Sequence, residues 1–279
     1  MIIKPRIETL LYQRYLQKVS YEELSSNFED KYSDMEIRDF IFRIAYSDIK
    51  TRLVEEAKEH FAKKFNCKSK EVLYDDYDEF AINMPYVCIV GNVKIEVMNC
   101  SKLKYVSGSL HTKGATGLGN LEYVGELADI NGMLTYDRGG NPIRQKTSLT
   151  KLKHCKQMFL TNVTVNEINV ADLDWLKITG SKVKKLNVIN IDELNVIPSS
   201  YIEDFTSAGF IRTFKFNNER VDKDNMIKYI NPSVLIDNIY SNYPFSSDTD
   251  KIDIMLGVAK QRGLELECSK FNEEKHDLI

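Results

Sequence analysis

Apolar positions change their spacing along the chain, and the changes divide it. Over residues 1–66 they recur at helical intervals. Ile7, Leu10, Leu11 and Leu16 form one stripe, and Ile37, Phe40, Ile41, Ile44, Ile49 and Leu53 form another. Ser20 with Glu23, and Ser33 with Glu36, each fit the capping box. In that motif a hydroxyl receives a first-turn amide and a carboxylate receives the cap amide. The pattern predicts helices starting near 21 and 34, the second running long, with Leu53 still on its buried side. Residues 67–84, with the tyrosine-containing acidic run Glu71–Glu79, read as a connector.

From 85 to 200 the period drops to two. A short pattern recurs: apolar, any, apolar, any, then Asn or Gly. Its copies are Ile95–Asn99, Leu110–Gly114, Leu127–Asn131, Met158–Asn162, Leu176–Gly180 and Leu186–Asn190, with Thr112 and Asp129 as polar exceptions at the middle position. Leu134-Thr-Tyr136 fits a degenerate copy inside the longest gap. A short strand points alternate side chains inward, and Asn or Gly then lets the chain turn. One such unit cannot bury its apolar side alone. Stacked units bury a continuous core, which predicts short strands in parallel ladders over 93–198.

Preceding lines also match. Leu103-Lys-Tyr-Val106 and Leu121-Glu-Tyr-Val124 open the segments LKYVSGSLHTKG and LEYVGELADING. Through these lines residues 85–200 resemble leucine-rich-repeat and receptor-L-domain-like folds. The resemblance implies a solenoid that binds another protein along its surface. The copies are unequal in length and their Asn comes one position early, so the solenoid expected is irregular. Residues 201–279 return to mixed structure. Ile211–Phe216 and Leu264–Cys268 alternate as strands, and helices are expected from Asn231 to Tyr240 and from Asp248 to before Gly263. The fold class is therefore α+β: a parallel β-solenoid (85–200), a helical N-terminal region (1–66), an acidic connector (67–84) and a small α+β C-terminal cap (201–279).

Charge narrows the function classes. The 279 residues carry 38 basic and 41 acidic side chains, a net of −3. That balance fits neither a basic nucleic-acid coat nor an acidic disordered tail. No apolar run is long enough to span a membrane, and charges interrupt the N-terminal stretch where a signal peptide would be apolar. The cysteines at 67, 88, 100, 155 and 268 are scattered and odd in number, as expected of reduced thiols in the cytoplasm. Abundant Lys, Ile, Asn and Tyr suit an AT-rich genome, such as that of a low-GC bacterium or phage.

Candidate chemistry is sparse. The Gly-rich run Gly108–Gly119 places Lys113 before Gly114, against the P-loop order, and reads as turns. His111, His154, Cys88, Cys100 and Cys155 lack the paired spacing of zinc ligands. Asp248, Asp250 and Asp253 fit a helix start, and a metal-dependent hydrolase or nuclease using them is the enzymatic alternative. Residues 21–28 followed by 33–40 look like a helix-turn-helix, which makes a DNA-binding regulator over 21–45 a second alternative. Residues 1–66, however, carry 12 basic and 12 acidic side chains, and Asp34 and Glu36 open the would-be recognition helix. Arg138–Lys146, basic and Gly-rich, should project as a loop.

The reading these features favour is a non-catalytic protein-binding module without cofactor or metal. Its candidate contact residues are Lys94, Glu96, Met98, His111, Lys113, Arg138, Arg144, Phe159, Thr161, Lys177, Thr179, Asn187 and Ile189. Asn195 and Ile197 continue the same outward face.

Overall fold

The computed structural model describes residues 15–221 apart from 29–30, 80, 97, 137, 140–141, 189, 198–199 and 208–210. The stripe at 7–11, Ile189, the elements expected beyond 221 and the aspartates at 248–253 lie outside the described residues. Helices α1 (Tyr21–Phe28), α2 (Asp34–Phe42) and α3 (Ser47–Phe65) come first. α2 starts on the predicted box: the Glu36 amide donates to Ser33 Oγ, and the Ser33 amide donates to Glu36 Oε2 at 2.8 Å. The long second helix expected from the apolar stripe is two helices. The amide of Ile44 turns to Ile41 O, Tyr46 is extended, and Ser47-Asp48 open α3. The break lets Ile37 and Ile41 enter the same core as Ile49 and Leu53 from two helix axes. Asn66 ends α3 in the left-handed conformation (φ 50°).

The strands that follow wind into a parallel β-solenoid with three sheets. One sheet holds β1 (Val72–Leu73), β2 (Cys88–Ile89), β4 (Tyr105–Val106) and β6 (Tyr123–Val124). A second, eight-stranded, holds β3 (Val93–Glu96), β5 (Leu110–Lys113), β7 (Leu127–Asn131), β10 (Gln157–Thr161), β12 (Leu173–Thr179), β14 (Ile191–Val196), β16 (Ile211–Phe216) and the antiparallel β17 (Glu219–Arg220). A third holds β8 (Leu134–Tyr136), β9 (Pro142–Thr147), β11 (Val163–Val170), β13 (Lys182–Val188) and β15 (Tyr201–Ser207). The ladders begin before 85, since the acidic run at 71–79 supplies β1 and a bridge from Tyr77 to Val93. They continue beyond 200 through β15 and β16.

Register explains the core. Leu110, Ala128, Met158, Leu176, Leu194 and Phe214 stack as one inward column, one residue per coil. Thr112, Ile130, Leu160, Ile178, Val196 and Phe216 form the next. All are buried, and each large apolar member contributes about 1.5–3 kcal/mol by leaving water. The turn role of the closing residues is visible where Gly114, Asn162 and Gly180 take positive φ (73°, 53° and 55°). The matched lines at 103–106 and 121–124 lie on neighbouring coils. Leu103 and Leu121 are buried, and Tyr105 pairs with Tyr123 as Val106 does with Val124.

Three sequence expectations need correction. In β7 the inward residues are Ala128 and Ile130, so Leu127 and Asp129 sit on the outer side; a carboxylate in the dry column would be left uncompensated. Met98 is buried, because strand alternation ends at Glu96 and the corner toward Asn99 turns it into the core. Asn195 lies in the outward row but is buried, its Nδ2 donating to Asn218 Oδ1 at 2.9 Å.

A second core lies outside the solenoid. Leu24, Ile41, Leu53, Ala57 and Phe61 of the helices pack with Val72, Tyr74, Cys88, Val90 and Tyr105. The helices therefore cover the outer face of the four-stranded sheet. Arg38 anchors them. Its Nη1 donates to Asp76 Oδ1 at 2.6 Å and to Val90 O at 3.3 Å, and its Nε and Nη2 donate to Asp39 Oδ1. Asp34, at the start of α2, accepts a hydrogen bond from Tyr105 Oη. Arg38 and Asp34 thus hold α2 to the sheet.

Candidate binding faces

Among the described residues no helix covers the eight-stranded sheet, and its register sets the side chains in rows. One row runs Lys94, His111, Asp129, Phe159, Lys177, Asn195, Lys215. A second runs Glu96, Lys113, Asn131, Thr161, Thr179. A third holds Leu127, Gln157, Trp175, Glu193 and Thr213. Eight of the predicted contact residues thus share one face: Lys94, Glu96, His111, Lys113, Phe159, Thr161, Lys177 and Thr179. Lys94, Glu96, His111 and Lys113 are exposed, and the other four are half-buried.

The other candidates separate. Met98 is in the core. Asn187 belongs to the five-stranded sheet, where its Nδ2 donates to Asn169 Oδ1 at 2.6 Å. Arg138 is exposed and Arg144 half-buried in a hairpin of β8 and β9. The basic segment, expected as a projecting loop, contributes β9, which pairs with β11 in the five-stranded sheet. Arg144 is engaged there, its Nε donating to Gly180 O.

The centre of the open face is aromatic. The rings of Phe159 and Trp175 meet edge to face with centroids 4.8 Å apart, an arrangement worth about 0.5–1.5 kcal/mol beyond buried area. Gln157, Asp174, Trp175, Glu193 and Lys215 line a shallow open cleft there. Nε1 of Trp175 is buried with no hydrogen-bond partner, which leaves a donor unsatisfied at about 1–3 kcal/mol. Sequence reasoning missed Trp175, Gln157, Glu193 and Lys215. The signal was present: Trp175 lies two residues before Lys177 in a strand of period two, and Gln157 two before Phe159.

Around this centre the charges pair across coils. Lys113 lies 3.9 Å from Glu96, His111 3.4 Å from Asp129, Lys94 3.9 Å from Asp78 and Lys215 2.7 Å from Glu193. Such partly exposed pairs contribute about 0–1 kcal/mol each and mainly fix orientation.

The nucleophile and metal candidates have structural places. Burial pushes the Cys100 and Cys155 thiols up to about 12 and Cys88 higher still, so none is a thiolate near neutrality. The ring of His154 stacks on Tyr123 at 4.7 Å, and Tyr123 on Tyr105 at 4.8 Å. Burial, reinforced by Lys156, lowers the His154 pKa. Among the described residues no group of three or more His, Cys, Asp or Glu could hold a metal ion, and no helix is long and apolar enough to cross a membrane. No protein-family model, curated protein or solved structure matches the chain.

Proposed function

We propose that the protein is a non-catalytic binding module that receives another protein on the open face of the eight-stranded sheet. The observation that carries this reading is the half-exposed Phe159–Trp175 pair at the centre of a flat, charge-matched face. Interface hot spots combine an aromatic anchor with a ring of polar neighbours that excludes water. A rigid solenoid suits that use, because stacked coils present an extended surface that need not reorganise on binding. The likeness of the lines at 103–106 and 121–124 to leucine-rich-repeat and receptor-L-domain-like proteins belongs to this proposal. So does a cytoplasmic setting, in keeping with buried cysteines held as free thiols.

The test is affinity capture from a native lysate with the wild type and with Phe159→Ala and Trp175→Ala. A partner held by the wild type should dissociate from each variant roughly 30-fold faster, the equivalent of a hot-spot loss of about 2 kcal/mol. Circular dichroism and thermal unfolding must show the variants folded. A partner retained equally by both folded variants refutes the assignment of this face.

A further inference from the structure

The coil that leaves β7 departs from the solenoid as the β8–β9 hairpin, and the hairpin carries exposed apolar groups. Met133, Leu134, Tyr136 and Ile143 are 47%, 37%, 64% and 50% exposed. They are four of the seven large apolar side chains that the described residues expose, gathered within eleven positions. Scattered single residues of this kind are ordinary; a cluster on one projecting element marks a contact surface.

Among the described residues the backbone of β8 is open on one side: β8 ends the five-stranded sheet and pairs there only with β9, antiparallel, with Leu134 opposite Arg144, Thr135 opposite Ile143 and Tyr136 opposite Pro142. Pro142 has no N–H, so the Tyr136–Pro142 pair cannot exchange two hydrogen bonds. In an antiparallel ladder bonded and non-bonded pairs alternate, so Thr135 and Ile143 form the bonded pair. The N–H and C=O groups of Leu134 and Tyr136 then point away from β9, at the free edge. β8 itself carries none of the usual protections of an edge strand: neither Lys nor Pro nor any charge interrupts Leu134-Thr-Tyr136.

The edge is held in place from behind. The Met133 amide donates to Gln145 Oε1 at 3.0 Å, Gln145 Nε2 donates to Ala115 O, and Arg144 Nε donates to Gly180 O. Side chains from β9 thus tie the hairpin to neighbouring coils. The hairpin is net basic: residues 133–147 contain Arg138, Arg144 and Lys146 against Asp137. Two copies meeting edge to edge would bring these cations together, whereas an acidic chain would be drawn to them.

We propose that β8 is a docking edge for an extended acidic segment of another protein, which adds as a sixth strand to the five-stranded sheet. Main-chain bonds to Leu134 and Tyr136 would give affinity. Apolar residues at alternate positions of the segment would meet Leu134 and Tyr136 on one face of the sheet, those between would share the face of Thr135 and Ile143, and the net positive charge of the hairpin would favour acidic residues in the segment. This surface is distinct from the Phe159–Trp175 face.

The test uses the full chain and an array of peptides of about ten residues, with Val or Tyr at alternate positions and Glu, Ser or Lys between. Fluorescence anisotropy should show the Glu set binding at least tenfold more tightly than the Lys set, with affinity falling as salt rises. Amide exchange should slow at Leu134 and Tyr136 when peptide binds. Tyr136→Ala should weaken binding severalfold, whereas Tyr136→Pro, which also removes an edge donor without touching a hairpin bond, should abolish it. Unchanged exchange protection in β11 and β13 checks that both variants keep the fold, and Phe159→Ala should leave peptide binding intact. Equal effects of Ala and Pro at 136, equal binding of Glu and Lys peptides, or no binding by any set overturns the proposal. Self-association of the peptide-free chain that Tyr136→Pro removes would also overturn it, assigning the edge to a second copy.

Discussion

Phe159 and Leu160 are adjacent in β10 and face opposite ways, so a pair of alanine substitutions tests which side of the sheet is core. Leu160 is fully buried and stacks between Ile130 and Ile178. Leu160→Ala removes that contact and leaves a cavity between coils, which should lower stability by about 2–5 kcal/mol. Phe159 stands on the outer side between Asp129 and Lys177, in contact with Trp175. Phe159→Ala gives up the aromatic pair and part of the ring's burial, and leaves space that water can fill. Its loss should be roughly 0.5–1.5 kcal/mol. Urea unfolding followed by circular dichroism reads both, and the comparison of two variants at one place cancels much of the uncertainty from a non-two-state solenoid. Leu160→Ala must be the more destabilising by at least about 0.5 kcal/mol. A Phe159→Ala variant that unfolds as readily as Leu160→Ala would falsify the outward assignment of the row, and with it the binding face built on Phe159.

Other consequences follow from the same geometry. Arg38→Met should lower stability by about 1–3 kcal/mol, since it removes charge-assisted bonds whose acidic partners are half exposed and keep their water; hydrogen exchange should place the loss in α2 and the first coils, and uniform protection would refute it. Asp76 feels opposing influences: burial raises its pKa, but hydrogen bonds from Arg38 and the Asn92 amide prevail and hold it below the usual carboxylate range. Its stabilising contribution is therefore present above the ordinary carboxylate pKa and lost as pH falls through the depressed one, so the gap between wild type and Arg38→Met should narrow in acid; a gap that widens there refutes the ion pair. Gly125→Ala should destabilise by more than about 2 kcal/mol, because a Cβ would lie 1.9 Å from Ser107 O of the preceding coil; a variant with unchanged melting temperature contradicts that packing. Brief iodoacetamide treatment at neutral pH, mapped by mass spectrometry, should leave Cys88, Cys100 and Cys155 unmodified in the native chain and label them in urea. Native labelling of any of them contradicts their burial.

The local pattern alone determined the helix starts at 21 and 34, because Ser20, Ser33 and their glutamates act within a single turn. It also determined the parallel solenoid, because alternation closed by Asn or Gly leaves an apolar edge that only another coil can cover. Local pattern could not settle the phase of β7, where Leu127 and Ala128 both fit an inward site and the columns above and below chose Ala128. Nor could it show that the stripe from Ile37 to Leu53 belongs to two helices, since period alone does not reveal a break that lets both halves reach one core. The binding face was half legible. Alternation placed Phe159, Lys177 and Thr179 outward, but the pairing of Phe159 with Trp175 needed the register between β10 and β12. The open edge of β8 was beyond the sequence altogether. Which strand is left without a neighbour depends on the pairing of every other strand, and that is decided only when the coils stack.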